Sequence, residues 1–302
     1  MTSRKRRIHA AGILCTALAG SGFAAADPAD GSARSAPLIA LQVPANAMVN
    51  YRGAPNLNTG VGSTAAMLYP APNAAAALAA LLTHGIMNSI GQRKEAERAQ
   101  TEADKVLEPF ASAINFHSND QLYRDASSHL NAANLKVVAS SDLAAERWLV
   151  TGEPVVWMAQ DKSALYLDLP VQVFSPGGRG DPVYGNGIRV VSEPLAFDGK
   201  DAFWSDNDGA RLKSVSARLF AEAVQIAVDA AMTPYPEDTS MHRTVRFPQG
   251  KAERIERSQV IRANCERTLL RTLRGGLLSV PTPREFAEAL PKSHSSCQRA
   301  PM

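Results

Sequence analysis

The chain has 302 residues, with 32 Lys+Arg against 29 Asp+Glu and a formal charge of +3. Arg4, Lys5, Arg6 and Arg7 supply four of those cations, so residues 27–302 come to −1. That balance excludes a chain-wide electrostatic grip on nucleic acid, and 45% apolar content excludes a wholly disordered chain.

The four basic residues open a segment that reads as a secretory signal. Ala10 to Ala19 is a short apolar stretch, and Ala24-Ala25-Ala26 offers a small-residue cleavage site before Asp27. Cys15 lies within the apolar stretch, but Leu14 before it does not suit lipid attachment, and the residues around Arg6-Arg7 do not support a twin-arginine route. The expected product begins at Asp27, is periplasmic or secreted, and has no transmembrane span after cleavage.

Residues 27–37, rich in Ala, Ser, Asp and Gly, read as a disordered linker. Leu38 to Val43 alternates weakly, as a first strand would, and Asn50 to Pro72 reads as loop from its glycines and prolines. Asn73 then begins a helical pattern with Leu78, Leu81, Leu82, Ile86 and Ile90 on one face. Beyond Gly91 this pattern becomes polar, and Pro109 ends or kinks it. Ser118-Asn119-Asp120-Gln121 has capping-box spacing and opens a short helix with Leu122, Ala126 and Leu130 inward.

From Leu135 the composition shifts to Val, Leu, Tyr, Trp and Phe. Leu135 to Ala139, Pro154 to Ala159, Ala164 to Phe174 and Val183 to Ser192 read as strands of an antiparallel meander. A helix follows, capped by Asp206 or Asp208, with Leu212, Val215, Leu219, Ala223 and Ile226 as its apolar stripe and Thr233-Pro234 as its stop. Residues 243–302 hold 12 Lys+Arg and 5 Asp+Glu, so residues 27–242 are correspondingly acidic at −8. Val245 to Phe247 and Ala252 to Ile255 suit a hairpin across Pro248-Gln249-Gly250, whereas Cys265 to Leu278 fits strand and helix alike.

The elements predict an α+β fold: an antiparallel β-meander with a long amphipathic helix packed on it, preceded by a helical segment. The expected divisions are 1–26 (signal), 27–37 (linker), 38–134 (mainly helical), 135–232 (meander plus helix) and 233–302 (basic, packed on the same domain).

Motifs of chemistry are sparse. Gly60-Val61-Gly62-Ser63-Thr64-Ala65 has dinucleotide-loop spacing, but Pro55-Asn56-Leu57-Asn58 precedes it instead of a strand, and the next acid is Glu95. Asp206-Asn207-Asp208-Gly209 would place Trp204 at the first ligand position of a calcium loop, so capping is the better reading. His84, His117, His129, His242 and His294 follow no metal-ligand spacing, and neither a G-x-S-x-G nor an S-x-x-K motif follows the signal. Arg179-Gly180-Asp181 sits in what reads as a hairpin tip, where turn chemistry accounts for it. The uncharged run Ala74–Ile90 is too short and too polar for a membrane helix and suits packing against protein.

Two features carry the functional expectation. Arg267, Arg271 and Arg274, interleaved with leucines, would make a basic amphipathic face for an anionic surface or acidic partner if this segment were helical. Cys265 and Cys297 are the two cysteines left after signal removal, and an oxidising compartment favours their pairing. The leading reading is an exported, soluble, non-catalytic binding, scaffolding or assembly factor of the cell envelope. It would need no cofactor or metal and bind no nucleic acid, and its partner would be an envelope protein or anionic envelope surface. The alternative is a periplasmic hydrolase with dispersed catalytic residues.

Overall fold

A computed structural model of the chain describes residues 38–42, 47–55, 90–132, 135–138, 147–177, 180–283 and 286. The expected signal, linker, glycine-rich motif and apolar run 74–89 lie outside them. The fold is mixed α/β, with a mostly antiparallel sheet and a long helix.

Among the described residues the sheet has eleven strands. The first seven are β1 (Leu38–Gln42), β2 (Asn50–Gly53), β3 (Lys136–Val138), β4 (Trp148–Gly152), β5 (Val155–Met158), β6 (Leu165–Phe174) and β7 (Tyr184–Val191). The last four are β8 (His242–Gln249), β9 (Ala252–Ala263), β10 (Arg267–Thr272) and β11 (Leu277–Pro281). The helices are α1 (Ile90–Asp104), the single turn α2 (Ala111–Ile114), α3 (Asn119–Ala132) and α4 (Lys200–Met232). A 3-10 segment, Lys105–Phe110, containing Pro109, joins α1 to α2.

The strands run in the order β3-β1-β4-β6-β7-β11-β10-β9-β8. β6 also pairs with β5 through its first half, and β5 carries β2. This is more than a meander: β1 lies parallel to both β3 and β4, β2 lies parallel to β5, and β11 lies parallel to β7. The segment expected as loop from Asn50 thus begins with a strand. Its register with β5, Tyr51 opposite Val156, is a contact about a hundred positions away, which local glycine and proline content cannot report.

β6 shows why one sheet face meets α4. Leu165, Leu167, Leu169, Val171 and Val173 alternate onto that face and are at most 3% exposed. They meet Leu212, Leu219, Ala223 and Ile226 of α4, all nearly solvent-free, in one apolar core. Leu122, Ala126 and Leu130 of α3 join the same core, and Ser118 Oγ accepts from Gln121 N at 3.2 Å, as the capping box requires.

The opposite face encloses a second core of Tyr166, Val191, Val245, Phe247, Leu270, Leu278, Val280 and Phe286. β8 reaches it because the sheet curls. The β8–β9 turn comes back against the β5–β6 turn, where a Cβ on Gly250 would stand 2.8 Å from Asp161 Oδ1.

Helix α4 is broken where the acidic cap was expected. Asn207, Asp208 and Gly209 take left-handed conformations (φ 51°, 55° and 71°), so the apolar stripe belongs to a second helical stretch that begins after Gly209. The preceding stretch is pinned by Trp204, whose Nε1 donates to Lys162 O at 2.7 Å.

Candidate functional site

Arg218, Ala221, Glu222 and Gln225 recur at helical spacing along one side of α4. Opposite them, the registers place Arg262 of β9, Leu269 of β10 and Ser279 of β11 side by side. A cleft of about 420 Å³ opens between these two rows, with Asn264, Arg267 and, from α3, His129 completing its lining.

Arg267 is fully engaged in holding the floor of this cleft. Its Nε donates to Glu222 Oε1 at 2.9 Å, Nη1 to Val191 O at 2.7 Å, and Nη2 to the carbonyl and hydroxyl of Ser279, each at 3.1 Å. The Ser279 hydroxyl in turn donates to Glu222 Oε1. Burial lowers the Arg267 pKa, and the Glu222 carboxylate beside it opposes that shift. Glu222, the one acid of the lining, is thereby neutralised within the wall.

Arg262 reaches the cleft through a β-bulge. Leu269 pairs with Arg262 but Leu270 pairs with Val260, which leaves Ile261 as an extra residue on β9. Strict alternation would send Ile261 toward α4 and Arg262 away from it. The bulge lets both face the helix: Ile261 packs on the α4 core, and Arg262 Nη1 stands 3.3 Å from Asp229 Oδ2 of α4. That contact is a solvent-exposed pair of little strength, with the Arg262 side chain 52% exposed. Arg218 is exposed and makes no ion pair among the described residues. Asn264 Oδ1 accepts from the amides of Glu266 and Arg267 at 2.9 and 2.7 Å, which leaves its NH2 as the free end.

Of the three arginines expected to form one basic face, only Arg267 lines the cleft. The segment is the β10–β11 hairpin, not a helix, because Leu269 and Leu270 must enter opposite cores, which successive residues of a strand do and those of a helix do not. Arg271 lies farther along β10 and donates through Nη2 to Tyr235 O at 2.9 Å, and Arg274 is exposed in the turn after β10. Arg218, Glu222 and Gln225 had a helical spacing that sequence reading could have used, whereas the bulge inverts the alternation that would locate Arg262.

Cys265 is half-buried just before β10 and is disulfide-bonded; Cys297 lies outside the described residues. His84, His294 and Arg179 lie outside them too.

A second polar cluster lies between β2, the α2–α3 connection and α4. Tyr51 Oη donates to Ser216 Oγ at 3.1 Å, so its oxygen accepts from His117 Nδ1 at 2.7 Å, and Ser216 Oγ donates onward to Leu212 O at 2.8 Å. His117 and Ser216 are both fully buried. Burial, reinforced by the Lys213 charge, holds the imidazole well below its ordinary value, at about 4, so it is neutral. The protons of this chain all run one way, toward a backbone carbonyl. Ser216 is therefore a closed structural donor rather than a nucleophile facing a base.

No protein family, curated protein or solved structure matches the chain. Among the described residues no helix is long and apolar enough to cross a membrane.

Proposed function

We propose that this protein is an exported binding factor of the cell envelope, periplasmic or secreted, that acts without catalysis through the cationic side of its C-terminal strands. The single observation that carries this reading is the make-up of the cleft. Three arginines line it against one glutamate, and that glutamate is already engaged by Arg267 and Ser279. A surface built this way offers donors and positive charge to a partner. The candidate hydroxyls nearest to acid–base partners, Ser216 and Ser279, are both locked as donors inside the fold. The signal-like N-terminus and the positive balance of residues 243–302 support the same reading.

Envelope association of the full chain, measured in fractionated cells and repeated at rising salt, tests this. Association that weakens as the Debye length shrinks from about 10 Å at 0.1 M to 3 Å at 1 M is the expected result. Association indifferent to salt, or protein retained in the cytoplasm, overturns the reading.

A further inference from the structure

We infer that the cleft between α4 and β9–β11 is a site for the oxyanion, carboxylate or phosphate, of a small ligand, clasped between Arg218 and Arg262. The inference rests on the binding-factor reading and names what that site takes.

The arginines of the cleft differ in how far their donors are already engaged. Arg267 sits deepest, but its donors are directed at Glu222, Val191 O and Ser279, so it contributes field and shape rather than a free contact. Arg218 has no ion pair among the described residues, and Arg262 has one long, exposed contact at 3.3 Å. These two guanidiniums approach from opposite walls, one from the helix and one from the strand. A planar fork of N–H donors on each side suits a carboxylate or phosphate oxygen pair, which each can take in two parallel bonds. The Asn264 NH2 adds a neutral donor on the strand wall.

The lining is also wrong for the opposite charge. Its one carboxylate is paired through Oε1 with Arg267 and Ser279, so three arginines against one glutamate leave the lining net positive. At about 420 Å³ the volume matches a metabolite-sized guest.

The bulge is the independent sign of a built site. A regular β9 would turn Arg262 to the far face of the sheet, and the extra residue Ile261 reverses it at the single position that brings it opposite α4. Bulges at such places re-aim a side chain at the cost of local pairing.

Calorimetric titration of the full exported chain with inorganic phosphate and, separately, with succinate tests the inference, with chloride adjusted to hold ionic strength constant. Saturable one-site binding of either probe is expected, and the two arms tell a phosphate site from a carboxylate site. Arg218→Gln and Arg262→Gln should each weaken it about tenfold, the loss of one charge-assisted contact. Arg257→Gln, an exposed arginine farther along β9, should leave it unchanged. Unfolding midpoints of the variants confirm that the fold is intact. No saturable binding of either probe, or binding untouched by both cleft substitutions, overturns the inference. Salt-sensitive envelope association with no saturable binding of either probe sinks this site alone, whereas salt-insensitive association beside intact anion binding sinks the broader reading alone.

Discussion

Arg189 and Asp168 face each other directly across β7 and β6, joined by two hydrogen bonds of 2.5 and 2.6 Å, with Arg189 and its carboxylate partner 7% and 14% exposed. The guanidinium lies 5.1 Å from the centre of the Tyr166 ring, and Tyr166 stacks on Trp157. The curled sheet thus encloses a charged pair beside its second apolar core. Asp168→Asn should cost about 3–5 kcal/mol, because it strands a buried guanidinium without its counter-charge. Replacing both residues by leucine should recover most of that loss. Urea unfolding of the single and double variants measures it, and a single variant as stable as the parent would refute a buried, coupled pair.

Acid should weaken the protein through His117. The folded imidazole titrates at about 4 while an unfolded one titrates at its ordinary 6.5. Below pH 6.5 the unfolded chain therefore takes up a proton that the folded one refuses. Stability from this residue is complete above that pH and falls by about 3 kcal/mol as pH drops toward 4. His117→Gln should flatten this part of the profile relative to the parent when unfolding free energies are compared between pH 7 and pH 4.5.

Gly209 carries the break in α4. Its φ of 71° is left-handed, and an added Cβ would lie 2.5 Å from Ala113 Cβ. Gly209→Ala should cost about 1–2 kcal/mol from backbone strain alone, with the clash adding more. Adding Ala113→Gly should return the clash component and leave the strain. Thermal unfolding of the two variants separates the terms.

Leu219 is 1% exposed in the core between α4 and the sheet. Leu219→Ala should destabilise by about 2–5 kcal/mol. An unchanged denaturant midpoint would contradict its place in that core.

The Cys265–Cys297 pairing is expected to appear as an absence of free thiols in the unfolded, unreduced chain lacking residues 1–26, and as one cross-linked peptide in its digest. Closing 31 intervening residues should contribute about 3–4 kcal/mol on the chain-entropy account. Two titratable thiols would exclude the bond.

Legibility from the sequence followed the range of the interaction. The α4 stripe, the Ser118 cap and the Gly250 hairpin turn arise from residues within a turn or two of one another, and each stands in the structure where spacing places it. Strand β4, Trp148–Gly152, showed no clean alternation because only Val150 among its five residues is buried. Strand β2 depends on a distant partner. At the cleft, Arg267 could be singled out by its charge, yet its partners Glu222 and Ser279 lie 45 and 12 residues away. Arg262 was hidden by the bulge, a defect in periodicity that period-two reading by nature erases.

The parallel seam between β7 and β11 has a consequence for how the chain is made. Ile188 must wait for Leu277, with α4 and three strands synthesised between them. A polypeptide delivered N-terminus first therefore presents β7 with an open edge until nearly its last described strand arrives. Such long-range closure is slow and exposes unpaired backbone in the interval. The corresponding vulnerability is truncation, since loss of residues from 277 onward would leave β7 and β10 as two unsatisfied edges in one molecule, a template for self-association.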